Sequence, residues 1–161
     1  MSDVKHTTGK WIEPNVPHKG WEYLGCEDKE ETCEVCEMCE DRDIRYVHWV
    51  RHQDYPADLG VGNVCAENLC IEYSSPKAKE RVAKNRTVRK KRFIRDGWSD
   101  TQTQGNKKKT WKENSILLFA KGRGFKLRIN SQWGQKTYPD CKTAISAAFD
   151  VIDPPAFKKN P

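Results

Sequence analysis

The clearest alternation of apolar and polar positions lies in the last third of the chain. It predicts two strands, Ser115 to Ala120 and Phe125 to Asn130, which alternate with the period of two that suits a half-buried sheet. Between them, residues 121–124 carry two glycines, as expected of a hairpin loop. A third short strand is predicted near Lys136 to Tyr138.

A helix is predicted directly after this strand region. Asp140 is a good N-cap residue, and Pro154 with Pro155 ends the helix. Its apolar residues recur at helical spacing and form one stripe that can face the strands: Ala144, Ile145, Ala148, Phe149 and Ile152. Residues 107–155 are therefore predicted to form a small β-β-(β)-α unit with its own core.

The first half of the chain patterns differently. Residues 1–32 look irregular, with Trp11, Trp21 and Tyr23 as aromatic anchors. Ile44 to His52 is rich in β-branched and aromatic residues and predicts a strand, on which His48 and His52 share one face. A turn region at 56–62 then leads into a short helix over 66–73.

A second helix is predicted in the middle of the chain. Ser75 suits the N-cap position and Pro76 the first helical position, and the helix can run to about Ile94. Its few apolar residues are too sparse for a full core face. We therefore expect three parts: a zinc-binding module over 1–75, a basic helix and loop over 76–106, and the small α+β unit over 107–155.

Composition supports small cores rather than one large core. Of 161 residues, 32% are charged and 36% belong to the usual apolar set. Domains shorter than about 70–80 residues often depend on a metal or on disulfides for stability. The chain has no apolar run of the roughly 18 residues that a membrane span needs, and residues 1–10 lack the apolar core of a secretory signal. The expectation is a soluble, cytoplasmic protein.

Charge is distributed very unevenly along the chain. Residues 26–43 contain nine acidic side chains against two basic ones, whereas residues 76–112 contain fourteen basic side chains against three acidic ones. The basic segment, more than the overall net charge of +6, is the feature that points to a partner.

Seven cysteines in a protein of a reducing compartment favour metal ligation over disulfides. The spacing Cys36-x2-Cys39-x12-His52-x12-Cys65 suits one structural Zn²⁺ per chain, because zinc takes four thiolate or imidazole ligands in a tetrahedron. Two alternatives stay open. Cys33 could replace a cysteine of the close pair, and His48 could replace His52. Cys70 is expected in the core, and Cys26 is a reserve ligand.

The run from Cys36 through His48 and His52 to Val61-Gly-Asn-Val-Cys65-Ala resembles small treble-clef-type zinc modules of bacterial and mobile-element proteins. The resemblance covers residues 36–69 and implies the same four metal positions. The extra Cys33 departs from the pattern. The scaffold carries many unrelated functions, so the resemblance implies no particular activity.

We expect no catalysis. Four protein ligands predict a closed, structural site rather than one with an open water position. A His-Asn-His nuclease centre needs a later histidine, and none follows His52. A zinc deaminase needs Glu two residues after a ligand histidine, where Asp54 stands instead. Phosphate-binding and dinucleotide motifs are absent from the sequence.

The leading hypothesis for function is binding of DNA or RNA, because clustered cations on one helix repel each other unless phosphates lie nearby. The candidate contacts are Arg86, Arg89, Lys90, Lys91, Arg92, Arg95, Lys107, Lys108 and Lys109. The alternative is a protein–protein adaptor or inhibitor that docks on host machinery through its acidic segment and tryptophans. No membrane and no small-molecule substrate are expected as partners.

Overall fold

The structure of the protein, a computed structural model, describes residues 6–70 and 76–155. The chain divides into two compact units. Unit 1 extends to Arg86, and unit 2 runs from Thr87 to Pro155. The predicted α+β class is confirmed, since three α-helices and several antiparallel sheets are present in the described residues. The three-part division of the sequence stays a prediction.

Unit 1 is built from short elements around one three-stranded sheet. In chain order they are β1 (Glu22–Asp28), β2 (Glu34–Val35), β3 (Asp43–Ile44), β4 (Tyr46–Arg51), β5 (Leu59–Val61) and α1 (Asn63–Leu69). The sheet has the antiparallel order β1-β4-β5, and β2 pairs with β3 in a separate hairpin. Helix α2 (Pro76–Arg95) contributes its residues up to Arg86 to this unit.

The prediction that residues 1–32 are irregular is wrong in part. Strand β1 pairs with β4 from Glu22 to Asp28, with one register shift between Tyr23 and Gly25. A 3-10 helix over Gly9–Ile12 buries Trp11 in the core of unit 1. Only Gly25 of β1 is buried, so backbone hydrogen bonds to β4 hold this strand. An apolar pattern could not reveal such a strand.

The other predictions for the first half hold in outline, except that the turn region predicted over 56–62 contains strand β5. The predicted strand over 44–52 is divided into β3 and β4, with Arg45 between them. The predicted short helix corresponds to α1, which places Cys65 in its first turn. Helix α2 begins at Pro76 as predicted. Its proposed N-cap, Ser75, lies outside the described residues, as does Tyr73.

Unit 2 is one antiparallel sheet with helices on one face. In chain order its elements after α2 are β6 (Ser99–Asp100), β7 (Lys107–Trp111), β8 (Asn114–Lys121), β9 (Gly124–Ile129), β10 (Gln132–Trp133) and α3 (Cys141–Ile152). The strands lie side by side in the order β10-β9-β8-β7-β6. Alternate residues of β8 and β9 pack against α3 and the end of α2, and the buried centre of this core comprises Phe93, Ile116, Leu118, Leu127, Ala144, Ile145, Ala148 and Phe149.

Most of the unit 2 prediction is confirmed. The β8–β9 hairpin turns between Lys121 and Gly124, and the Asp140 carboxylate accepts a hydrogen bond from the Thr143 amide at 2.7 Å as the N-cap of α3. The third strand was predicted in the wrong place. Tyr138 makes only a single bridge to Phe125, whereas β10 follows a tight turn in which Asn130 and Ser131 adopt positive φ.

Within residues 6–70 and 76–155, the helices are too short or too polar to cross a membrane.

Candidate metal centre

Three cysteines from two separated parts of unit 1 meet at one point. Cys36 and Cys39 lie in the turn between β2 and β3, and Cys65 lies in the first turn of α1. Their sulfur atoms all lie within 4.8 Å of one another, and all three residues are buried with free thiols. This cluster is able to hold a metal ion.

Backbone hydrogen bonds fix the turn that carries the first two sulfurs. The Cys36 amide donates to Arg42 O at 2.8 Å, and the Glu40 amide donates to Cys36 O at 2.8 Å. Glu37 connects the turn to β5, because its amide donates to Gly60 O at 2.9 Å and its carboxylate accepts from the Gly60 amide. The positions of Cys36 and Cys39 are therefore set by the sheet as well as by their own turn.

The environment of Cys36 favours a thiolate. The Cys65 thiol and the backbone amides of Cys39, Gly62 and Met38 hydrogen-bond to the Cys36 sulfur and lower its pKa to about 5. Because Cys65 donates its proton in this arrangement and is also buried, the pKa of Cys65 is raised. Burial likewise raises the pKa of Cys39. The cluster thus holds one negative charge near neutral pH, with two further protons that a cation would displace.

The segment before β1 wraps around this turn. Thr8 Oγ1 donates to Cys39 O at 2.8 Å, and the Lys10 amide donates to Met38 O at 2.7 Å. Gly9 lies so close that a Cβ there would be 2.6 Å from Cys39 C. Trp11 Nε1 lies beside Cys65 and favours the thiolate form of that cysteine. Within the described residues, this buried N–H group makes no hydrogen bond.

A cavity of about 500 Å³ opens beside the three sulfurs. Besides the cysteines, it is lined by residues of the N-terminal segment, of the turn between β2 and β3 and of α1. Its charged residues are Asp41, Arg42 and Asp43. In the described part of the chain, no further His, Cys, Asp or Glu offers a ligand atom within 4.8 Å of all three sulfurs.

The structure does not bring His52 into the cluster. Its ring lies 5.4 Å from the Trp21 ring, centroid to centroid, and its Nδ1 accepts a hydrogen bond from the Asp54 amide at 3.0 Å. His52, directly after β4, therefore packs against Trp21 and lies outside the cysteine cluster. The four-ligand geometry expected from the sequence is not assembled in the described residues.

The rival ligand, His48, lies elsewhere again. Its side chain is fully buried, and Nε2 lies 3.0 Å from Glu80 Oε1 and 4.0 Å from Cys26 Sγ. Burial lowers the pKa of His48, and the hydrogen bond to Glu80 opposes that shift. His48 thus joins α2 to the sheet of unit 1.

The remaining thiols of unit 1 stand apart from the cluster. Cys33 is exposed, and its sulfur lies 3.7 Å from Glu30 O. Cys70 is buried in the unit 1 core, where burial raises its pKa to about 11. Burial raises the pKa of Cys26 to about 12. Cys36 and Cys39, and not Cys33 and Cys36, form the close pair beside Cys65.

Many of the cations predicted to bind nucleic acid are engaged within unit 2. Arg89 pairs with Asp153 at 2.8 Å and Lys90 with Asp150 at 2.9 Å, which fastens α2 to the end of α3. Two more are paired at the surface: Arg95 with Asp96, and Lys107 with Asp100. Lys91, Arg92 and Lys108 are exposed, whereas Arg86 is half-buried.

Lys109 requires a correction. It was predicted to contact nucleic acid, but it is only 5% exposed. Its ammonium group donates to Phe93 O at 2.8 Å and to Asp96 O, at the C-terminal end of α2. The rings of Phe93, Trp98 and Trp111 surround it, with centroids 4.5, 5.6 and 4.9 Å away. The ammonium group of Lys109 thus caps the C-terminal end of α2, and its burial does not fit a role in phosphate contact.

Sequence reasoning did not place the N-terminal segment at the cluster, although it expected Trp11 to be an aromatic anchor. Thr8, Gly9 and Trp11 contact the cysteine cluster or its turn, yet no ligand-type spacing distinguishes them. The only indication in the sequence was Gly9, two residues before Trp11. A glycine at this position suits a close contact between two backbone segments, and the tryptophan that follows suits a buried position.

Comparisons with protein-family models, with curated proteins and with solved structures find no match to this chain.

Proposed function

We propose that this protein is a zinc-stabilised, non-catalytic nucleic-acid-binding protein. The observation that carries the zinc part is the meeting of three buried, free thiols within 4.8 Å. Zinc–sulfur bonds of about 2.3 Å at tetrahedral angles place sulfurs about 3.8 Å apart, so small side-chain adjustments fit one ion. When bound, Zn²⁺ would link the β2–β3 turn to α1.

The order of elements also supports a treble-clef module. Such a module combines a cysteine turn, a hairpin and a helix whose first turn supplies a ligand. Here the turn between β2 and β3 carries Cys36 and Cys39, β4 and β5 form the hairpin, and Cys65 lies in α1. The fourth ligand is the point on which this chain departs from the pattern, because His52 faces Trp21.

Charge supports the nucleic-acid part. The sequence over 76–112 is strongly basic, and the side chains of Lys91 and Arg92 are exposed on α2. A protein that neutralises phosphates with such side chains gains free energy from released counterions. These two residues are therefore the part of the predicted helix surface that we propose for phosphate contact.

The zinc proposal is tested by metal analysis of purified protein and of single cysteine variants. We expect one zinc ion per chain, loss of metal in Cys36→Ser, Cys39→Ser and Cys65→Ser, and retention in the matched control Cys33→Ser. His52→Gln should retain metal as well. Chelation should unfold unit 1, since structural zinc contributes on the order of 10 kcal/mol to folding. Protein free of metal, with the three variants unchanged in stability, would reject the proposal.

The nucleic-acid proposal is tested by measuring affinity for single- and double-stranded oligonucleotides against salt concentration. The logarithm of the affinity should fall linearly with the logarithm of salt concentration, with a slope that reports several phosphate contacts. Lys91→Glu with Arg92→Glu should weaken binding. The control Lys19→Glu with Lys142→Glu makes the same change in net charge at exposed positions elsewhere. No binding to any oligonucleotide at low salt would reject the proposal.

A further inference from the structure

One face of the unit 2 sheet is not covered by helices of that unit. Residues that pair directly across strands share a face, and β8 and β9 bury the opposite set against α3. The register therefore assigns to what we call the open face, among other residues, the six on which the inference depends: Lys108, Leu117, Phe119, Lys126, Arg128 and Trp133.

Two aromatic rings meet on the open face, one from the central strand β8 and one from the edge strand β10. The rings of Phe119 and Trp133 meet edge to face, with centroids 5.7 Å apart and planes at 86°. Arg128 places its guanidinium carbon 5.5 Å from the centroid of the Trp133 ring. Phe119 is half-buried, whereas Trp133 is 50% exposed. Trp133 is thus a large apolar side chain that packs against Phe119 and Arg128 and is still half-exposed to solvent.

The charge of this face has a single sign. Three of the six open-face residues are basic, and strands β7 to β10 contain no acidic residue. Lys121 at the end of β8 and Arg123 in the following turn extend the positive charge. An apolar protein partner would leave these cations without counter-charges, whereas a polyanion would neutralise them.

From this arrangement we propose that the open face binds single-stranded nucleic acid, with unpaired bases stacking on Trp133 and Phe119 and phosphates contacting Lys108, Lys126 and Arg128. Stacking requires exposed base faces, which a duplex does not offer. The proposal rests on the proposed nucleic-acid function. It adds a preference for single-stranded over double-stranded nucleic acid and a second binding surface, distinct from Lys91 and Arg92 on α2.

The test uses the full-length, zinc-loaded protein with unlabelled oligo(dT) and oligo(U) of about 12 nucleotides, close to the size that one binding platform covers. We expect tryptophan fluorescence to be quenched on binding, since Trp133 is the most exposed tryptophan of the described residues. Trp133→Ala should weaken single-strand affinity roughly 5- to 100-fold and abolish most of the quenching. Trp133→Phe should restore part of the affinity.

Matched controls separate this surface from others. Lys126→Ala should weaken binding and reduce its salt dependence, whereas Lys142→Ala on α3 should not. Circular dichroism checks that each variant is folded. Duplex bound as tightly as single strands, or wild-type affinity in folded Trp133→Ala, would overturn this inference and leave the proposed function standing. Self-association that depends on Trp133 without single-strand binding would also overturn it.

A complete absence of nucleic-acid binding would reject the proposed function and this inference together. Single-strand binding that survives Lys91→Glu with Arg92→Glu but fails in Trp133→Ala would support the open face and reject the α2 surface. The two proposals therefore fail in distinguishable ways.

Discussion

The backbone amide of Gly62 lies 3.4 Å from the Cys36 sulfur, and these two residues belong to the two separate segments that meet at the cysteine cluster. Gly62 directly precedes α1, so the start of that helix directs an N–H group at a thiol in the distant β2–β3 turn. The same backbone that places Cys65 therefore also stabilises negative charge on Cys36. The fold prepares one thiolate before any metal arrives.

This preparation sets how zinc affinity should depend on pH. At pH 7 Cys36 is ionised, with its pKa lowered to about 5, while Cys39 and Cys65 hold their protons because their pKa values are raised. Zinc binding should then release on the order of two protons per ion, and about three below pH 5. Affinity must fall as pH falls, and it should fall more steeply below pH 5.

Calorimetric titration of zinc into metal-free protein, in buffers of different ionisation enthalpy, counts the released protons. Cys70→Ser serves as the control, because Cys70 is buried outside the cluster and should leave the count unchanged. A count near zero at pH 7 would show that the three thiols are not the ligands.

Gly9 should be intolerant of any side chain. It has φ of +60°, and a Cβ would lie 2.6 Å from Met38 O. Gly122 has the same φ of +60° with no atom within 4 Å of its Cβ position, so Gly122→Ala measures the backbone strain alone, about 1–2 kcal/mol. Gly9→Ala should cost about 1–3 kcal/mol more through overpacking. Denaturant unfolding checks this, and equal losses would contradict the close packing.

His48 should make unit 1 sensitive to acid. Burial lowers its pKa from the ordinary 6.5, so the unfolded chain takes up a proton at a pH where the folded chain does not. The free energy of unfolding should therefore fall as pH drops below 6.5, down to the folded-state pKa. The charged groups that modify this shift are Glu80 and Glu67, which raise the pKa, and Lys79, which lowers it.

Thermal unfolding between pH 7 and pH 5 measures this acid sensitivity. His48→Gln should flatten the pH dependence, because Gln does not titrate in this range. It should also lower stability at pH 7, by about 1–3 kcal/mol, because Gln reproduces neither the ring packing of His48 nor the geometry of its contact with Glu80. The control Lys19→Gln replaces an exposed side chain of the same unit and should change neither quantity. An unchanged pH profile in His48→Gln would assign the acid sensitivity to other groups.

Lys109 should be essential to the stability of unit 2. Lys109→Met keeps an apolar side chain among the three aromatic rings but removes the ammonium donor. The Asp96 carbonyl then loses this hydrogen bond, and the Phe93 carbonyl keeps only the one from Trp98 Nε1. We expect a loss of about 1–3 kcal/mol in the free energy of unfolding. Lys108→Met, on the opposite face of the same strand, should be close to neutral. Equal effects of the two variants in denaturant titrations would contradict the proposed capping role.

Local patterns determined several parts of this protein. Features that depend only on neighbouring residues could be predicted directly from sequence spacing. They are the apolar stripe of α3, its Asp140 cap, the β8–β9 hairpin and the start of α2 at Pro76. The meeting of Cys36 with Cys39 is also local. Placing Cys65 beside Cys36 and Cys39 needed only one further expectation, which is that the helix after the hairpin packs against the turn that carries these two cysteines.

Tertiary structure alone decided the rest. Position on the strand favoured His52 over His48 as a ligand, but packing directs His48 to Glu80 and His52 to Trp21. Charge left Lys108 and Lys109 equivalent, but the pleat of β7 exposes one and buries the other beneath α2. A sequence fixes which chemical groups are present and how neighbours alternate. Which distant group each one meets depends on how sheets and helices pack, because contacts between remote segments form only when the whole core is assembled.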